Sequence, residues 1–300
     1  MSGSGWRRAG PAQAARMLRL PVPAAALLAA AILAPATAAE GYRFTAGEPI
    51  LLRWRMEQET AWRSAGDRLD YATAQEWDLV LTPGPAGRDG RIPVQLLVAR
   101  IRASHRGPEG ERRFDSRSEP GTRRDPLLGH LDLLCGTPVV WMVDPRTGAV
   151  ASATGGAQIL DRLREHVPAA IPGEPSPIEA AARQAFGDEA LARLGDSLLR
   201  LPAAATESIR LGPPLSIEVA RGWSGARWNV RQSATVPMTL GSGPAAVAGA
   251  ITGLSGSGEV QPRAGRPDRA HGEWRWTQHA TALTQPFQAE VVLRWRLEPR

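Results

Sequence analysis

Few residues with reactive side chains stand in the spacing that an active site requires. Residues 241–246, Gly-Ser-Gly-Pro-Ala-Ala, match the glycine spacing of a dinucleotide-binding loop. No capped helix follows them and no carboxylate stands at the expected distance on a second strand, so the context of such a loop is missing. Ser255 and Ser257 lie in a glycine run, but without the Gly-x-Ser-x-Gly spacing of a hydrolase nucleophile.

Metal binding has equally little support in the sequence. His271 with Glu273, and Glu165 with His166, are pairs and not sets of three or four ligands, and no His-Glu-x-x-His motif occurs. The sequence therefore predicts no catalytic, cofactor-binding or metal-binding residues. We expect a protein that is not an enzyme and that carries no cofactor.

Tryptophan is the unusual residue, since the chain contains ten. Large aromatic side chains in strands ordinarily pack in a core. Trp274 and Trp276 share one face of a predicted strand, however, and paired tryptophans on a sheet can hold a sugar or a lipid chain. The sequence leaves core packing and ligand contact both open. The tryptophans singled out within predicted strands are Trp54, Trp77, Trp141, Trp274, Trp276 and Trp295.

Cys135 is the single cysteine, so the chain forms no internal disulfide. It ends a leucine-rich segment that follows the helix start Asp125-Pro126, and Gly136 supplies the helix stop. We expect a buried, unreactive thiol.

Alternation of apolar and polar residues predicts that most of the chain is extended. The first three predicted strands form an antiparallel meander. Residues 107–124 are polar and charged, which predicts a mobile loop anchored by Phe114, and residues 241–272 are rich in glycine and proline, which predicts turns or a disordered loop. The predicted strands span residues 50–58, 69–81, 92–104, 139–143, 149–153, 215–220, 226–232, 235–240, 273–281 and 285–297.

The middle of the chain has helical periodicity. Ile159, Leu160 and Leu163 predict one helix. Ser176 begins a capping box with Glu179, and Asp188 is predicted to cap a third helix that ends before Pro202.

Residues 51–57 (Leu-Leu-Arg-Trp-Arg-Met-Glu) resemble residues 292–298 (Val-Leu-Arg-Trp-Arg-Leu-Glu). A duplicated module would explain this echo, and so would two strands that face the same core. The flanking residues do not align, which favours the second explanation. In either case each segment should bury its tryptophan and expose its arginines.

The N-terminus has the pattern of an export signal. Four arginines precede an apolar run at residues 22–33, and Ala-Thr-Ala at 36–38 fits a signal-peptidase site. Residues 1–38 are therefore predicted to be a signal peptide, with translation from Met1 or Met17, and the product to be soluble in the periplasm or outside the cell. An uncleaved N-terminal membrane anchor is the alternative.

Charge argues against a nucleic-acid partner. All 36 basic residues are arginine, and four of them lie in residues 1–38, which leaves 32 against 30 acidic residues. A nucleic-acid-binding protein needs a basic surface that persists after processing.

The order of short motifs resembles a family of uncharacterised exported bacterial proteins, a domain of unknown function. After Pro202 that family would have a Gly-Asp-x-Trp-like turn, where this chain has Gly212-Pro213-Pro214. The resemblance implies no activity and no site residues. The motifs that carry it are Tyr42-Arg43-Phe44 with Gly47-Glu48, Phe114-Asp115-Ser116, Gly136-Thr137-Pro138, Asp144 to Gly148 before Val150, and Leu201-Pro202.

Together these patterns predict an α+β fold, mostly antiparallel β-sheet with a central helical segment packed on one face. The expected parts are an N-terminal β-rich half at 39–153, a helical segment at 154–202 and a C-terminal β-rich half at 203–300, with 39–300 able to form one domain. By analogy with envelope carriers of acyl chains, the expected function is binding of an apolar ligand or lipid in the cell envelope. The alternatives are a structural or interaction module with an envelope protein partner and, third, a secreted hydrolase.

Overall fold

The structure is a computed structural model, and it describes residues 41–64, 66–118, 128–166, 182–183, 186–201, 206–210, 218–224, 226–240, 247–282 and 285–300. The predicted signal peptide, the helix start at Asp125, the Ser176 capping box and the glycine motif at 241–246 lie outside these residues.

The described chain is dominated by one antiparallel sheet. Its strand order is β6-β5-β3-β2-β1-β13-β12-β11-β9-β8-β7, with β4 added beside β3 and β10 beside β11. A mostly antiparallel, β-rich fold is therefore confirmed. The strands are β1 Ile50–Ser64, β2 Asp67–Pro83, β3 Ile92–Gly107, β4 Gly110–Asp115, β5 Val139–Val143, β6 Val150–Thr154, β7 Thr206–Arg210, β8 Glu218–Ser224, β9 Arg227–Gln232, β10 Val236–Leu240, β11 Val247–Arg263, β12 Arg266–Ala282 and β13 Gln285–Pro299.

The two β-rich halves of the chain share this sheet because β1 pairs with β13. Arg55 and Arg296 occupy the same position in the two similar segments and lie opposite each other, and Trp54 and Trp295 are both buried. β1 is the first strand of the N-terminal half, whereas β13 is the last strand of the C-terminal half. A tandem duplication would place the similar strands at the same position in each half. The similarity thus reflects two neighbouring strands that face one core.

Two segments predicted as loops are strands. Residues 247–263 form the 17-residue strand β11, because its glycines leave room for tryptophan rings that lie flat on the sheet. A methyl group on Gly256 would lie 2.6 Å from the Trp274 ring, and one on Gly258 would lie 2.6 Å from the Trp228 ring. Within 107–124, residues 110–115 form β4, which pairs with β3 and buries Phe114.

The described helices are a 3-10 helix at Gly129–Leu134, α1 at Gly156–His166 and α2 at Asp188–Leu199. Asp188 does not cap its own helix, whose N-cap is Gly187; its Oδ1 accepts from the Gly156 N–H at 2.8 Å and so joins α2 to the start of α1. α2 packs against β5 and β6, with Gly195 seated on the Trp141 ring. Within the described part of the chain, no helix combines the length and the apolar character needed to cross a bilayer.

Residues 41–49, here called the strap, join two turns that belong to distant strands of the sheet. The Tyr42 N–H donates to Pro145 O in the β5–β6 turn at 2.6 Å, and the Arg43 N–H donates to Gly265 O in the β11–β12 turn at 2.8 Å. In a flat sheet β5 and β12 would lie five strand spacings apart, about 24 Å. Two consecutive residues can bond both turns only if the sheet curls, so that its strands converge at this end.

The face of the sheet on the outside of the curl, here called the outer face, carries a ladder of ion pairs. Arg53 reaches Asp78 at 3.1 Å, and Arg55 reaches Glu76 at 2.8 Å across β1 and β2. Arg294 on β13 bonds Glu273 on β12 at 2.8 Å. The pairs made by Arg55 and Arg294 are partly exposed and add little stability, whereas Asp78 is buried. The ion pairs make the outer face hydrophilic and leave the apolar residues to the face on the inside of the curl.

Candidate functional site

The face on the inside of the curl, here called the inner face, gathers the tryptophans. All six that were singled out in predicted strands are buried, as expected for core aromatics. The structure adds Trp228 on β9, whose ring stacks on that of Trp274 with centroids 5.2 Å apart. The segment around Trp228 was predicted to be a strand, so alternation could have placed this residue on the same face.

The inner face is apolar at the strap end. Ile50 on β1 lies opposite Leu81 on β2, which lies opposite Leu96 on β3. The next inward-facing row consists of Leu52, Leu79 and Val98, and all six side chains are buried. This end of the inner face offers no hydrogen-bonding side chain along these three strands.

Further from the strap, the inner-face residues of the same three strands become polar. Gln58 lies opposite Thr73, and Thr73 lies opposite His105, so one row across β1, β2 and β3 is polar. The Thr73 hydroxyl and His105 Nδ1 are 3.0 Å apart, and Gln58 Nε2 donates to the Thr60 hydroxyl at 3.1 Å. All four side chains are buried. The inner face therefore runs from apolar at the strap end to polar at the opposite end.

Several buried donors on the inner face have no partner among the described residues. Trp77 donates its indole N–H to Gln75 Oε1 at 3.0 Å, and Trp141 donates to Leu191 O at 3.0 Å. By contrast, the five other buried indoles and Gln75 Nε2 make no hydrogen bond. Buried polar groups are nearly always paired, so an unpaired cluster needs an explanation. The unpaired indoles belong to Trp54, Trp228, Trp274, Trp276 and Trp295.

Glycines form the floor beneath these rings. A methyl group on Gly272 would lie 2.7 Å from the Trp228 ring and 2.8 Å from the Trp295 ring. The rings consequently lie against the backbone of β11 and β12. One aromatic surface therefore extends across β9, β11, β12 and β13.

A recess of about 510 Å³ opens beneath the strap. Ile50 and Leu52 of the inner face belong to its lining, so the recess reaches the apolar rows from the rim of the sheet. Arg266 at its edge forms a two-fold hydrogen-bonded pair with Glu48 of the strap, at 2.8 and 2.6 Å. The lining residues are Arg43, Thr45, Ile50, Leu51, Leu52, Arg263, Ala264, Arg266, Pro267, Asp268 and Pro299.

Some of the reactive residues considered from the sequence become neighbours on the outer face. Ser257 on β11 lies directly opposite Glu273 on β12, and His271 lies two residues further along β12. Both carboxylate oxygens of Glu273 accept hydrogen bonds from arginines, one from Arg275 and one from Arg294. The hydrogen bond from Arg275 holds the pKa of Glu273 below its usual value. Among the described residues, no three His, Cys, Asp or Glu side chains are grouped as metal ligands would be.

Cys135, which was predicted to be buried, is partly buried and packs against the hydrophobic core. Burial nevertheless raises the pKa of the Cys135 thiol, which favours its unreactive protonated form.

Known proteins offer little guidance. No protein-family model matches the chain, and no curated protein matches it. Among solved structures, the chain is similar to one described as showing lipid–protein interactions in lipovitellin, with 9% identity, a TM-score of 0.43, 86% of this chain covered and 25% of that chain. It is also similar to DynF from the dynemicin biosynthesis pathway of Micromonospora chersina, with 10% identity, a TM-score of 0.21 and 89% of each chain covered. The chain thus spans a quarter of the lipovitellin chain, and both TM-scores are too low for any property of these proteins to be transferred.

Proposed function

We propose that the protein binds an apolar ligand or lipid on the inner face of its curled sheet, without catalysis, in the cell envelope. The observation that carries the proposal is the recess of about 510 Å³ beneath the strap, whose lining includes Ile50 and Leu52. Through these two residues the recess adjoins the rows of wholly apolar side chains.

The energetic reason is the hydrophobic effect. Each CH₂ group that leaves water for an apolar site gains about 0.8 kcal/mol. An alkyl chain that enters the recess and lies against Ile50 and Leu52 would be held by this gain.

The alternative of an interaction module would call for an apolar patch on the surface. Leu51 is the one exposed large hydrophobic side chain among the described residues. The outer face around it is an ion-pair ladder. The described surface therefore gives less support to the module than the inner face gives to ligand binding.

Export to the envelope rests on the sequence of residues 1–38, and membership of the exported family remains a prediction. N-terminal sequencing of the protein purified from its own cells tests export. We expect the mature chain to begin at residue 39, directly after the predicted signal peptide. A chain that retains residues 22–33 would favour the membrane anchor.

Native mass spectrometry of the purified protein, with its organic extract analysed in parallel, tests the binding function. We expect a stoichiometric adduct that organic extraction removes and that is identified as a lipid. A chain that carries no adduct after gentle purification, and that gains none when mixed with the total lipid extract of the same cells, would refute the proposal.

A further inference from the structure

The recess beneath the strap has an apolar wall that a ligand can reach. Leu51, Ile50 and Pro299 line it from the first residues of β1 and the end of β13. Leu51 is 45% exposed and is the one exposed large hydrophobic side chain among the described residues. The volume of about 510 Å³ lies within the range of about 300–1,000 Å³ that is typical of small-molecule sites.

The opposite wall of the recess gathers positive charge at the β11–β12 turn. Arg263 and Arg266 lie directly opposite each other on the two sides of this turn. Ala264 and Gly265 form the turn with φ angles of 52° and 74°, the positive values of a two-residue type I′ hairpin. The Arg43 N–H donates to Gly265 O, which brings a third arginine to the same turn. Like charges directly opposite each other destabilise a strand pair, so this turn favours a bound anion.

The charges around the recess leave room for one negative charge. Besides the three arginines, the lining contains one carboxylate, that of Asp268. Glu48 of the strap supplies a second carboxylate through its two hydrogen bonds from Arg266. Three positive charges against two negative charges leave a formal excess of one positive charge. Arg263 is exposed and forms no ion pair with any residue that the structure describes, so its guanidinium can bind the anion.

We infer that the recess binds a long-chain fatty acid, with its carboxylate on Arg263 and its alkyl chain against Leu51 and Ile50. This inference rests on the proposed function and adds the ligand class and the residues that hold each end. A guanidinium matches the planar geometry of a carboxylate with two parallel hydrogen bonds. The single negative charge of the fatty acid balances the single positive charge in excess.

Equilibrium dialysis of the unmodified protein against radiolabelled stearic acid, methyl stearate and octadecylamine tests the ligand class. Each probe is kept below its aggregation limit, at about pH 8, where a carboxylic acid is ionised. We expect stearic acid to bind at least about tenfold more tightly than methyl stearate, since a hydrogen bond to a charged group is worth about that factor or more. Octadecylamine should bind most weakly of the three, because its ammonium group meets the arginines.

The outcomes separate this inference from the proposed function. Equal affinity for stearic acid and methyl stearate would overturn the carboxylate requirement and leave binding of an apolar chain standing. Saturable binding of none of the three probes would overturn both the inference and the proposed function.

Substitution of Arg263 tests the position of the carboxylate. Arg263→Gln should weaken stearic acid binding by about tenfold and leave methyl stearate binding unchanged. Arg269→Gln is the matched control, because Arg269 is an exposed arginine of β12 outside the recess lining, and it should change neither affinity. An unchanged affinity of Arg263→Gln for stearic acid, or an equal loss in both variants, would overturn the assignment.

Substitution of Leu51 tests the position of the alkyl chain. Leu51→Ser should weaken stearic acid and methyl stearate by a similar factor, because it removes apolar contact and no charge. Unchanged affinity for both probes would overturn the placement of the chain. Arg263 and Leu51 are both exposed, so each variant should fold, and its urea midpoint verifies this.

Discussion

The buried tryptophans of the described residues fall into two groups, those whose indole N–H is hydrogen-bonded and those whose indole N–H is not. Trp54 and Trp77 lie directly opposite each other on β1 and β2, and their rings meet edge to face at 5.1 Å. The Trp77 N–H donates to Gln75 Oε1, whereas the Trp54 N–H has no partner in the described residues. The two residues share one environment, so the comparison isolates the value of the N–H bond.

Replacing each of these tryptophans with phenylalanine should give unequal losses of stability. Both changes remove similar ring area, but Trp77→Phe also leaves Gln75 Oε1 without its donor. We expect Trp77→Phe to lower the free energy of unfolding by about 1–2 kcal/mol more than Trp54→Phe. Urea titration of both variants measures the difference. Equal losses would show that the Trp77–Gln75 bond contributes nothing net.

Asp115 should govern part of the stability in acid. The hydrogen bond from Arg100 lowers the pKa of Asp115 to about 2, from an ordinary value of 3.8. Because the folded-state pKa is depressed, this carboxylate stabilises the fold above about pH 4, and its contribution is lost as the pH falls from about 4 to 2. Asp115→Asn should therefore flatten the decline of the unfolding free energy between pH 4 and pH 2. Arg100→Gln should flatten it as well, and an unchanged slope in both variants would contradict the assignment.

At the scale of whole elements, the strands that alternate in polarity were predictable and the one built on glycine was not. Alternation placed β2, β3, β5 and β13 within about three residues of their ends and ended β1 about six residues early, because one face of each strand is buried and the other is wet. β11 was missed because Gly256 and Gly258 are read as turn residues, and the rings that require them lie on β9 and β12. Contacts between distant residues, such as Asp188 with Gly156, leave no local pattern. The stack of Trp228 on Trp274 was out of reach for the same reason, since it depends on the register of β9, β11 and β12.

The glycines beneath the tryptophans give a direct test of the aromatic floor. A methyl group on Gly272 would meet both the Trp228 and Trp295 rings below 3 Å, so Gly272→Ala should lower the free energy of unfolding by about 1–3 kcal/mol. The near-ultraviolet circular dichroism of the tryptophans should change with it. Gly222→Ala on β8 is the control, because its methyl group would lie 3.4 Å from the nearest atom of Asn229 and should be tolerated. An unaffected Gly272→Ala variant would mean that the rings do not lie on the sheet.

At the scale of the molecule, the strap defines the shape on which the proposals depend. It bonds the β5–β6 turn, the β11–β12 turn and, through the Gly47 N–H at 2.7 Å from Pro83 O, the end of β2. Among the described residues, no comparable segment links the strands at their opposite end. The apolar rows lie at the end that is drawn together, which is where a hydrocarbon chain would be shielded most completely.

Removing the Tyr42 side chain tests whether the strap holds these distant turns together. Tyr42 is buried and its ring lies 5.1 Å from that of Phe44, so Tyr42→Ala should cost about 3 kcal/mol and loosen the strap. Hydrogen exchange should then become faster at residues 144–149 and also at residues 263–266, although the two turns lie on strands far apart in the sheet. Thr45→Ala, at an exposed position of the same segment, should leave both turns as protected as before. Faster exchange in only one of the two turns would show that the strap holds that turn alone and that the curl of the sheet is maintained without the strap.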